Sequence, residues 1–115
     1  MEPSPNMVDQ ERRRHPRVKM AEPVRAAVGT VRVYVLDASV GGMRVAHQSS
    51  IPQPGEFCRI EVASILGPIR LDCEVVRTVP DRALYQSGLE IIAADHQSAE
   101  RLRTLFDIQR GKYSC

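Results

Sequence analysis

Tryptophan is absent from the 115 residues, and aromatic residues make up only 4% of them. Proteins that hold single-stranded nucleic acid without sequence preference stack its bases on aromatic rings, so a chain with so few rings is a poor candidate for that role. No sign of charge dominates either. The formal net charge is +2 at pH 7, too small to imply a polyanionic partner by itself. No apolar run approaches the ~20 residues that a membrane helix needs. The polar N-terminus lacks the hydrophobic stretch of a secretion signal. Cys58, Cys73 and Cys115 are odd in number and show no C-x-x-C spacing, which argues against a disulfide framework and against a zinc site. Cys58 and Cys73 sit among apolar neighbours and read as small buried residues, with Cys115 at a tail expected to fray. Catalytic signals are missing as well. His15, His47 and His96 are scattered, no nucleophile–base pair or P-loop is visible, and His47 and His96 read as exposed loop residues. The expectation is a cytoplasmic protein that is neither an enzyme nor a metalloprotein.

The composition is 43% hydrophobic and 26% charged, ordinary for one soluble domain. Residues 1–11 are polar, carry two prolines and show no periodicity; they read as a disordered tail. Residues 12–19 form a basic arm, with Arg12, Arg13, Arg14, Arg17 and Lys19 and no acid among them. Pro16 biases His15 away from helix, so the arm is extended or turning. From Val24 to residue 93 the pattern is β. Val31, Val33 and Val35 alternate with polar or outward residues, as do Cys58, Ile60 and Val62, and Ile69, Leu71, Cys73 and Val75. Turn compositions separate the runs: residues 37–42 (DASVGG), 51–55 (IPQPG), Gly67-Pro68 and Pro80-Asp81-Arg82. Tyr85 to Ile92 is the last strand. Five or six short strands of this kind predict a sandwich or a small barrel. Over residues 96–110 the period becomes helical, with Leu102, Leu105 and Phe106 forming a stripe that must pack on the barrel or on a second copy. Asp95 or Ser98 supplies the cap, and Gly111 the stop.

Two constellations carry chemistry. In Arg13-x-x-x-Arg17, preceded by Arg12, each guanidinium is a planar fork that fits a phosphate or the O6/N7 edge of guanine. A solvated basic arm would use the same residues. In Asp37-x-Ser39-x-x-Gly42, a carboxylate accepts hydrogen bonds from the N1–H and N2–H₂ edge of guanine, with a hydroxyl beside it. Gly41 and Gly42 are expected to supply positive φ and a close approach to the backbone. Plain hairpin chemistry would also use this text.

Together the two motifs resemble the PilZ family, whose pattern is R-x-x-x-R followed by D/N-x-S-x-x-G. The stretches ERRRHPRV before the barrel, GGMRV after the turn and GLEI at Gly88 to Ile91 are also similar to the family's. The resemblance covers roughly residues 11–108. Its one departure is Ile91, where an aromatic is frequent, and that touches packing only. The resemblance implies an all-β domain over residues 12–110, a six-stranded antiparallel split barrel with a C-terminal helix. It implies a receptor for cyclic di-GMP, with no cofactor. Arg13 and Arg17 would hold phosphates and guanine Hoogsteen edges. Asp37 and Ser39 would meet the other guanine region, and Gly42 would close the motif. Arg12 sits where the family tunes how many ligand molecules bind, and an arginine there favours a stacked ligand pair. Ligand would draw the arm over the barrel as an order–disorder switch. The signal would then pass to an unidentified protein or a second copy in motility, biofilm or virulence control, with no membrane or nucleic acid involved. The alternative is a PilZ-fold interaction module indifferent to nucleotide.

Overall fold

Alternating side chains become strands because one face can be buried while the other stays in water. The computed structural model describes residues 17–109. In chain order these form β1 (Val18–Val28), β2 (Val31–Ala38), β3 (Gly42–His47), β4 (Phe57–Val62), β5 (Ile69–Asp81), β6 (Leu84–Ala94) and α1 (His96–Gln109). The strands close into an antiparallel barrel in the order β1-β2-β3-β6-β5-β4. This is the expected six-stranded architecture with a C-terminal helix. The interior is filled by the alternating residues: Val33, Val45, Ile60, Ile69, Leu71 and Val75 are fully buried.

The barrel starts at Val18, earlier than the expected Val24. Val18 and Lys19 pair with Ala38 and Asp37 of β2, so the end of the basic segment is already strand. Register then slips between Lys19 and Val24. Pro23, which has no N–H to give a ladder, lies in that slip. Closure between β1 and β4 rests on three pairs, Ala26 with Val62, Ala27 with Glu61 and Val28 with Ile60. The other half of β1 leaves β4, which is the split.

Helix α1 packs along β5 and β1 through the expected stripe of Leu102, Leu105 and Phe106, all buried. Asp95 is the cap. Its carboxylate accepts the Ser98 backbone N–H at 2.7 Å and the Ser98 hydroxyl at 3.0 Å. The Ser98 oxygen also accepts the backbone N–H of Arg70 at 2.9 Å, pinning the first turn to β5. At the other end the side-chain oxygen of Gln109 accepts the N–H of Ala21 at 3.1 Å. The helix thereby covers backbone that the split leaves unpaired.

Cys58 and Cys73 face each other across β4 and β5. Cys73 is buried and Cys58 half-buried. Burial pushes both thiols up, Cys73 to about 12, where its neighbour Cys58 adds to the effect. Both remain thiols at neutral pH, in keeping with a packing role.

Candidate functional site

On β2 the odd-numbered residues Val33 and Val35 point inward, and the same parity would send Asp37 into the core. A bulge between Val35 and Asp37 prevents it. The extra residue turns Asp37 to the outer face, opposite Arg44 of β3, while Ala38 takes the inner position opposite Met43. The turn is thus shorter than the expected 37–42, and Asp37 belongs to a strand.

Two arginines converge on Asp37. Arg17 donates to Oδ1 at 3.3 Å and Arg44 donates to Oδ2 at 2.6 Å. The carboxylate is 7% exposed beneath guanidiniums that are themselves 63% and 48% exposed. One anion between two cations leaves this surface positive. It opens into a hollow of about 290 Å³, lined by Arg17, Arg44, Arg77, Val79, Gln86, Ser87 and Gly88.

Ser39 and Gly42 are held by their own turn. The Ser39 hydroxyl accepts the Gly41 N–H at 3.1 Å and donates to the Gly42 carbonyl at 3.4 Å, and the Ser39 N–H donates to that carbonyl at 2.7 Å. Neither Gly41 nor Gly42 has positive φ, contrary to expectation. Gly42 is required for a different reason: a Cβ there would lie 2.7 Å from the carbonyl oxygen of Leu89 on β6. Arg12, Arg13 and His15 lie outside the described residues. Of the six expected site residues, the structure therefore brings Arg17 and Asp37 into contact and sets Ser39 and Gly42 in the turn beside them.

Arg44 and Arg77 were not legible as site residues. Arg44 could have been inferred as an outward residue on the strand leaving the Gly42 turn. Arg77 could not. The odd residues of β5 point inward from Ile69 to Val75, and a bulge between Val75 and Arg77 turns Arg77 outward.

His47 corrects a second expectation. It is 3% exposed, at the inner end of β3. Its Nδ1 lies 2.8 Å from the carbonyl of Ser49, so Nδ1 carries the proton and donates. Nε2 then accepts from the Ser87 hydroxyl at 2.7 Å, and Thr78 donates to Ser87 at 2.7 Å. Tyr85 stacks on the ring at 5.7 Å. Ser87 is only 1% exposed, so this chain is a buried structural network. His96 is exposed, as expected. Among the described residues no cluster of His, Cys, Asp and Glu could hold a metal ion, and no helix is long and apolar enough to cross a membrane.

A cationic hollow on the outside of a split barrel, lined by the two arginines that hold Asp37 and set beside the Ser39–Gly42 turn, defines the class. The chain belongs to the PilZ domain family, whose model (PilZ domain) matches residues 11–107. No curated protein matches the sequence. Among solved structures, the chain is similar to YcgR of Escherichia coli in complex with c-di-GMP, with a TM-score of 0.70 and 19% identity over 89% of this chain and 48% of that one. The PilZ domain of YcgR with c-di-GMP gives 0.67 and 19%, over 89% of this chain and 94% of that one. The Bacillus subtilis inhibitor of motility MotI/DgrA gives 0.68 and 20%, over 90% and 53%. The chain thus spans about half the length of the first YcgR chain and of the MotI chain, and nearly all of the YcgR PilZ-domain chain.

Proposed function

We propose that this chain is a receptor for cyclic di-GMP, not an enzyme, and that it hands ligand binding on to a protein partner. The observation that carries this reading is the contact between Arg17, the second arginine of R-x-x-x-R, and Asp37, the acid of D-x-S-x-x-G, at 3.3 Å, with Arg17 lining the adjoining hollow. Two motifs twenty residues apart meet on one surface of a PilZ barrel. The ligand carries two phosphate charges and two guanines, and the surplus of guanidinium over carboxylate suits it. A carboxylate has about four acceptor positions, so Asp37 can take a guanine N1–H and N2–H₂ edge once Arg44 swings aside. Arg12 and Arg13 add forks for phosphate and the Hoogsteen edges. The repositioned arm is the signal. Its receiver is a protein that controls motility or surface attachment, a role supported by the likeness to an inhibitor of motility.

Calorimetry tests the reading. Wild-type protein should release heat on titration with cyclic di-GMP, while Arg13→Ala and Asp37→Ala should lose binding and keep the β-type circular dichroism spectrum. Equal heats from all three proteins, or none from the wild type, would end the receptor reading. The second result would leave a protein-interaction module on the same fold.

A further inference from the structure

Phenylalanine occurs twice in the chain. Phe106 is buried between helix and barrel, whereas Phe57 stands on the outer face at the start of β4, more than half exposed. Val76 of β5 and Ile92 of β6 are also more than half exposed. Each is the extra residue of a bulge and has no partner on the facing strand. Val76 falls between the pairs Val75–Leu89 and Arg77–Gly88, and Ile92 between Cys73–Ile91 and Asp72–Ala93.

Register gathers these three side chains around two acids. Phe57 is opposite Glu74, and Glu74 is opposite Glu90. Val76 lies two residues along β5 from Glu74, and Ile92 two residues along β6 from Glu90. Facing residues have Cβ atoms about 5 Å apart and diagonal ones about 7–8 Å, so the apolar groups form a rim about the carboxylates. Like charges directly opposite on a ladder are unfavourable. The acids beside them are neutralised, Asp72 by Arg59 at 2.9 Å and Glu61 by Arg70 at 3.0 Å. Glu74 and Glu90 make no ion pair with any described residue.

We infer that this face docks a basic amphipathic segment of the partner protein, with a cation seated between Glu74 and Glu90 and apolar side chains covering Phe57, Val76 and Ile92. The inference rests on the proposed transfer of the signal to a protein, and it names where that protein sits and what its surface carries. Exposed apolar side chains gathered in one place mark an interaction surface, and the carboxylates within the rim set the sign of the charge that fits. A second copy docked through the same face about a two-fold axis would set Glu74 and Glu90 against their own counterparts. The chain's own basic arm has the charge, but residues 9–17 contain no large apolar side chain besides Pro16 and cannot cover the rim. Val76 adjoins Arg77, which lines the cationic hollow, so the docking face and the hollow meet at one bulge.

The probe is a fluorescein-labelled amphipathic peptide of leucine and lysine, with its leucine–glutamate counterpart as control, followed by anisotropy and by the amide chemical shifts of the full chain. The lysine peptide should bind and the glutamate peptide should not, and the shift changes should centre on Phe57, Glu74, Val76, Glu90 and Ile92. Glu74→Lys and Phe57→Ser should each weaken binding about tenfold or more, as loss of a central contact does. Both should keep the wild type's melting temperature and its heat of cyclic di-GMP binding. No binding of the lysine peptide, equal binding of both peptides, wild-type affinity in both variants or shift changes elsewhere would overturn the docking face. So would sedimentation that finds a dimer dissociated by Phe57→Ser, which would give the face to a second copy. A wild type that binds the lysine peptide at this face but releases no heat with cyclic di-GMP would support the docking face and end the receptor reading.

Discussion

Asp37 shows what a single residue contributes and what it needs. A carboxylate 7% exposed is tolerated because Arg17 and Arg44 each donate to one of its oxygens; left alone it would carry a heavy desolvation cost. Its motif was legible in the sequence, as was Arg17. Its bulge was not, because a bulge is a mismatch between two strands and has no signature on either one alone. The buried Ser87 makes the same point from the side of stability. It donates to His47 and accepts from Thr78, so Ser87→Ala strips both of their partner. The variant should lose about 1–3 kcal/mol, measured by urea unfolding. His47 read as an exposed residue because polar side chains usually are. Only the pairing of β3 with β6, which sets His47 against Tyr85, supplies the partners that let it go inside.

The elements themselves were largely written in the periodicity. Strands appear where apolar residues alternate, and α1 where the spacing changes to Leu102, Leu105 and Phe106. Boundaries were less visible: β1 begins at Val18 because Asp37 and Ala38 are there to pair with, a fact held by another strand. The helix start is an element with a pH signature. Hydrogen bonds from the Ser98 backbone, then from its hydroxyl, pull the Asp95 carboxyl below its ordinary 3.8. A carboxyl depressed in the folded state stabilises fully above its unfolded value and loses that contribution as pH falls through the folded one. Asp95→Ala should therefore unfold at lower denaturant than the wild type at neutral pH. The difference should shrink once pH drops below 3.8, as followed by circular dichroism. A gap that is constant with pH would remove the carboxylate from the explanation.

At the scale of the whole molecule the barrel is closed unevenly, by three pairs between β1 and β4, and α1 lies along the neighbouring strands. Phe106, 4% exposed in the core cluster, joins the helix to the barrel. Phe106→Ala should cost about 3–5 kcal/mol, a large share of the about 5–15 kcal/mol that holds a domain of this size, read as a lower denaturation midpoint. Fold class, helix stripe and the two motifs were determined by the sequence alone, since each depends on residues close together in the chain. The assembly of the hollow was decided only in three dimensions. Arg44, Arg77 and Gly88 are distant in sequence and become neighbours through register, and both Asp37 and Arg77 reach the outer face through bulges. A one-residue slip sends a side chain to the opposite side of a sheet, so the site depends on pairings between strands that no single strand encodes.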